Sequence, residues 1–190
     1  GTYAKDFGLN VIVVMCSPQN DFKSVTKKAY DELKSAKVKV IKSPDLKNLK
    51  LSRDTVIVDA LVGTGLKGKL RNSVKESVLK INELGLKYPV VSLDVPSGMN
   101  SDTGYVEDVC VFADITATFV VQKRGCFTTI GKKVSGEVQY SDLDIPKKLF
   151  SKVASSCSVI NFEGLISKVL YREENAHKGV FGHAIIVGGD

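Results

Sequence analysis

The chain has 190 residues, 43% of them hydrophobic and 25% charged, the balance of a soluble globular protein with room for one well-buried domain and part of another. Its 27 Lys and Arg outweigh 21 Asp and Glu to give +6, but the lysines are spread rather than clustered, so an anionic small molecule is the expected partner and nucleic acid is not. No apolar run approaches the ~20 residues of a membrane span, and Cys16, Cys110, Cys126 and Cys157 lack the spacing of a zinc site or a disulfide framework, so no membrane partner and a reducing, cytoplasmic setting are expected.

Thr2 to Phe7 reads as the end of a helix stopped by Gly8. Asn10 to Met15 (NVIVVM) is a buried strand. Val25, Ala29, Leu33 and Ala36 recur every three or four residues, which predicts a helix with Ser24 as its N-cap. Val38 to Ile41 and Thr55 to Leu61 are the next strands. Val74, Val78, Ile81 and Leu84 mark a second amphipathic helix, capped by Asn72 or Ser73, and Pro89 opens the strand Val90 to Leu93. Strands alternating with helices predict βαβ units in a parallel sheet, with the loops after the strands gathered on one edge.

Beyond Gly104 the pattern changes. Ala113 to Val121 is a long strand with Thr116 and Thr118 on one face, Gly136 to Tyr140 is a shorter one, and Pro146 closes the unit. From about Ser151 a second unit begins. Asn161 can cap a helix through Leu170, and a loop with His177, Lys178, Gly179 and Gly182 leads to an apolar strand, Ala184 to Val187.

The chemistry concentrates after two strands. Asp59 to Lys69 (DALVGTGLKGK) joins a strand to a helix, where unpaired backbone N–H groups and the helix dipole suit an anion. Gly63, Gly65 and Gly68 satisfy the dinucleotide pattern G-x-G-x-x-G, which calls for an acidic residue roughly 20 positions on at a strand end. Glu83 has the distance but falls in a helix; Asp94 ends a strand but lies further along. Gly63 to Lys69 also begins a P-loop, yet Leu70 stands where Ser or Thr must hold magnesium. A plain connecting turn is the third reading. The next strand ends in SLDVPSGMN, Ser92 to Asn100, with a carboxylate, a rigid proline, a hydroxyl and a glycine. If the strands bearing Asp59 and Asp94 are neighbours, both carboxylates and the glycine loop meet at one edge. Asp59 and Ser97 then offer oxygen ligands for a hard cation, and Asp94 offers an acid or base, or simply an Asx-turn.

These blocks, with ADITATFVVQKRG from Ala113 to Gly125 and the closing Gly136-Glu137-Val138 and Asp144-Ile145-Pro146, resemble the NAD(P)H-hydrate epimerase domain of the YjeF N-terminal type, in the same order and at similar spacing over most of residues 1–148. The resemblance implies a Rossmann-like, three-layer parallel-sheet domain that interconverts the R and S forms of hydrated NADH and NADPH (NADHX and NADPHX). It implies potassium held in part by Asp59 and Ser97. Substrate contacts would come from Gly63, Thr64, Gly65, Leu66, Lys67, Gly68, Lys69 and Asp94. Asp94 would be the catalytic acid or base, and Lys123 would steady a phosphate or the leaving oxygen.

Residues 149–190 resemble something else. Tyr171-Arg172, then Asn175 to His183 (NAHKGVFGH) and AIIVGG, are similar to the entrance of the ribokinase-like, ADP- or ATP-dependent NAD(P)H-hydrate dehydratase domain. The expected organisation is an epimerase domain at 1–148 and, at 149–190, a linker and the start of that second domain. Neither His177 nor His183 is assigned a catalytic role. Gly1 resembles the last glycine of the family's N-G-G-D-G phosphate loop, so the epimerase site is expected to be incomplete here, and the dehydratase residues are expected beyond Asp190. Rival readings are a binding or scaffold module of the same fold, which lacks such a tail, and an NAD-dependent oxidoreductase. A homo-oligomer is compatible with all three.

Overall fold

The computed structural model describes residues 1–16, 22–43, 49–153, 155, 157–160 and 166. The expected helix from Asn161, the loop with His177 and His183 and the strand Ala184 to Val187 lie outside the described residues, apart from Ile166. The chain divides into a unit at Gly1–Pro146 and another at Lys147–Asp190, whose described part includes the short helix α5, Lys147–Phe150.

In the first unit α1 (Thr2–Asp6) leads to β1 (Ile12–Met15), α2 (Ser24–Ser35) and β2 (Lys39–Lys42). Then come β3 (Ile57–Asp59), α3 (Asn72–Gly85), β4 (Val90–Leu93) and β5 (Ile115–Phe119), a 3-10 turn at Arg124–Phe127, α4 (Thr129–Val134) and β6 (Glu137–Ser141). Among the described residues every strand pair is parallel: β1 with β2, and β3-β4-β5-β6 in that order. The predicted βαβ alternation is therefore present, as an α/β architecture.

Two apolar cores pack against the four-stranded sheet. One gathers Leu70, Val74 and Val78 of α3 and its approach with Val90 and Val111. The apolar spacing of α3 put Val74 and Val78 on one face, and complete burial of a valine side chain contributes roughly 1.5–3 kcal/mol. The other core gathers Val95, Met99, Cys110, Cys126 and Val134. Asn82 ties α3 to the segment before β5, donating to the Cys110 carbonyl and accepting from the Phe112 N–H, both at 2.9 Å.

Some expectations shift by a residue or two. The N-caps of α2 and α3 are Lys23 and Arg71, with no side-chain cap bond, rather than Ser24 and Asn72 or Ser73. α2 forms from helix-favouring Lys, Ala and Glu, but its expected apolar face is largely open, Val25 being 80% exposed. Among the described residues no helix is long and apolar enough to cross a membrane.

Candidate active site

Parallel pairing of β3 with β4 sets Asp59 opposite Ser92, and the loops that leave both strands turn toward one another. Asp59 is fully buried. Its Oδ2 accepts from Ser92 Oγ and from the Ser97 N–H, each at 2.8 Å; its Oδ1 accepts from Ser97 Oγ at 2.6 Å and from the Leu61 N–H at 3.3 Å. Four neutral donors thus satisfy one buried carboxylate, and no cationic side chain pairs with it among the described residues. Ser97 closes the arrangement by accepting from the Val62 N–H at 2.9 Å, with the Val62 carbonyl 3.2 Å from the same hydroxyl. That single hydroxyl proton faces two acceptors, Asp59 Oδ1 and the Val62 oxygen. An uncompensated charge and a surplus acceptor, all in oxygen, fit a hard cation of low charge. Gly98 allows the close turn: at φ +100 its missing Cβ would stand 2.1 Å from the Val109 carbonyl.

Asp94 follows directly on β4 in the left-handed region, φ +71, a strained setting for a residue with a side chain. Its N–H reaches the Ala117 carbonyl at 2.7 Å, which pins the turn to β5. The carboxyl group has two distinct sides. Lys123 Nζ stands 2.5 Å from Oδ1 as an ion pair, off the line of a hydrogen bond, and Oδ1 is buried. Oδ2 faces the glycine loop, 3.7 Å from where a Cβ on Gly63 would be. Lys123 is itself held by donating to the Phe119 carbonyl at 2.6 Å. Val120, on the way from β5 to Lys123, is also left-handed at φ +68, an uncommon conformation for a β-branched residue. Both strand ends that carry the pair are bent out of regular geometry.

Buried thiols lie behind these carboxylates. Burial, helped by the charge of Asp59, pushes Cys110 from 9.0 up to about 11. Burial also raises Cys126, with Ser135 and Lys123 opposing the rise and Asp94 adding to it. Both remain protonated near neutral pH and are not nucleophiles.

The rest of the loop is open. Gly63, Thr64, Gly65, Lys67, Gly68 and Lys69 are exposed and Leu66 is half-buried. A cleft of about 550 Å³ is lined by Val14, Leu61, Leu66, Lys67, Lys69 and Arg71 among others. Asp94, Ser97 and Lys123 do not line it. The cleft offers space and cations, whereas Asp59 is a fully buried charge and Asp94 a half-buried one paired with Lys123.

Two other sequence readings fare less well. Leu70, where a P-loop needs its hydroxyl, is 8% exposed and part of the core. Glu83 lies near the end of α3, away from the ends of the strands that carry Asp59 and Asp94, and pairs with Lys80 at 2.7 Å. Ser92 is the site residue that the motifs passed over. Its only signal was a polar residue inside an apolar strand.

A family described as "YjeF-related protein N-terminus" matches residues 1–125. The chain belongs to this family. It is 32% identical over 187 residues to the bifunctional NAD(P)H-hydrate repair enzyme Nnr of Coxiella burnetii, covering 98% of this chain and 37% of that protein. It is 37% identical over 139 residues to the bifunctional NAD(P)H-hydrate repair enzyme of Leishmania infantum, covering 71% and 24% respectively. The chain thus spans well under half the length of these relatives. The crystal structure of yeast ynu0, YNL200c, has the same fold, with a TM-score of 0.66 at 23% identity, over 80% of this chain and 62% of that one.

Proposed function

We propose that this chain is the epimerase part of a nicotinamide-hydrate repair enzyme and interconverts the R and S forms of NADHX and NADPHX. One observation carries the reading: Asp94 holds Oδ1 against Lys123 and turns Oδ2 to the glycine loop, where the family blocks converge. In the proposed reaction a proton held between Lys123 and Asp94 is delivered through Asp94 to the hydroxyl on C6 of the damaged ring. The C–O bond breaks with its electron pair on oxygen, water leaves, and the ring nitrogen lone pair stabilises the carbon left behind. Water then adds from either face while the Asp94 carboxylate takes back one proton, so atoms and charge balance. Lys123 keeps the carboxyl oriented and steadies the departing oxygen.

Residues 63–69 would contact the nucleotide, and the cleft with Lys67, Lys69 and Arg71 suits its phosphates. Asp59, Ser97 and the Val62 carbonyl would hold potassium, which supplies a fixed positive charge beside the loop when bound. The proposed parent protein also dehydrates the S hydrate with ADP or ATP in a second domain.

Asp94→Asn in the intact protein tests the reading. It keeps the size of the side chain and removes the acid, so R/S exchange followed by chromatography should fall by about 10²–10⁴-fold with the circular dichroism spectrum unchanged. Unaltered exchange would remove Asp94 from the chemistry.

A further inference from the structure

Among the described residues two buried side-chain oxygens have no hydrogen-bond partner, Asp94 Oδ1 and Thr118 Oγ1. The sheet brings their two residues side by side. Leu93 pairs with Ala117 in the β4–β5 register, and the Asp94 N–H binds the Ala117 carbonyl, so Asp94 lies one step further along, beside Thr118. Thr118 is fully buried and shares its face of β5 with Thr116. The two threonines differ in one respect: Thr116 donates to the Ser135 carbonyl at 2.7 Å, whereas Thr118 donates to nothing. Packing alone does not call for a hydroxyl there, since valine has the same shape without the cost of an unmatched polar atom.

Lys123 completes the set. Its ammonium carries three protons; one goes to the Phe119 carbonyl and one side faces Asp94, which leaves a donor over. Cys126, on the adjoining 3-10 turn, is buried and lies near enough to feel the charges of both Lys123 and Asp94.

We propose that Thr118 is a positioning residue for Asp94: its hydroxyl is joined through one buried water to Asp94 Oδ1, with Lys123 as the third partner, and this leaves Oδ2 as the oxygen that meets the substrate. A water with three polar partners is well provided for in a protein interior. The two orphaned oxygens then satisfy each other, and the acid is held in one orientation. This inference rests on the epimerase reading above.

The test compares Thr118→Val with Thr118→Ser in the intact protein, with R/S exchange of NADPHX as the readout. Thr118→Val should lower kcat by about tenfold and leave KM unchanged, because only the working orientation of Asp94 is lost. Thr118→Ser keeps the hydroxyl and should restore kcat. An unchanged kcat in Thr118→Val, or a serine variant as slow as the valine one, would overturn the assignment. If Thr118→Val does not fold, Thr118→Ala against Thr118→Ser makes the same comparison. A crystal structure should show the water within hydrogen-bond distance of both oxygens, and a dry site would also overturn it. A wild-type protein with no R/S exchange would instead bring down the epimerase reading, and this role with it.

Discussion

Asp59 and Asp94 are both strand-end aspartates, yet their surroundings give them different work. Asp59 is sealed and bonded by four donors from three residues, so it joins the ends of β3 and β4 as well as offering a charge. Asp59→Ala should therefore act twice. It strands the Ser92 and Ser97 donors in the interior, at a cost of about 3 kcal/mol, which thermal melting would register. In the intact protein it should also weaken the dependence of exchange on potassium. Unchanged melting would remove the joining role, and a wild type indifferent to potassium would remove the metal assignment. Both aspartates were visible in the sequence because a carboxylate at the end of an apolar strand is conspicuous. The Asp94–Lys123 pair and the hydroxyl of Ser92 were not, since each depends on which strands are adjacent and in what register. The left-handed backbone at Asp94 and Val120 leaves no mark in composition, least of all at a valine.

The elements that carry the site were legible where they are long and periodic. α3 and the six strands β1 to β6 fall within a few residues of their hydrophobic patterns. Their ends moved because hydrogen bonding, not hydrophobicity, sets where a ladder stops; β5 ends at Phe119 where the chain bends toward Lys123. The 3-10 turn and α4 were missed because RGCFTTIGKKV has no helical period and two adjacent threonines. What forms them is tertiary. Gly104, Gly125 and Gly131 meet so closely that a Cβ on Gly131 would stand 1.8 Å from the Gly125 carbonyl and 2.9 Å from Gly104 Cα. This contact seats the turn and α4 on the loop after β4. Gly131→Ala should cost about 2 kcal/mol or more and lower the melting temperature by roughly 5 °C. A variant as stable as wild type would mean that the segment packs elsewhere. Because α4 runs directly into Ser135, whose carbonyl Thr116 bonds, the same change should disturb β5 ahead of Lys123.

For the molecule as a whole, the family assignment rests on the first unit. Residues 1–125 match the family, and the described part of Lys147–Asp190 adds one short helix. The sequence carried the α/β class and the family because three separate blocks had to agree. It carried less about the second unit, where the similarity is to one short stretch. The 190-residue chain by itself should give no dehydration of the S hydrate with ADP or ATP, assayed by recovery of NADH absorbance. Turnover there would put the second site within this chain. A consequence for anyone redesigning the protein follows from the bent ends of β4 and β5. A program that optimises stability alone would recommend glycine or asparagine at positions 94 and 120, where φ is +71 and +68. At 94 the recommendation deletes the acid. At 120 it loosens the tether that delivers Lys123 to it. The most tempting thermostabilising substitutions in this fold are therefore the ones to withhold from a combinatorial library.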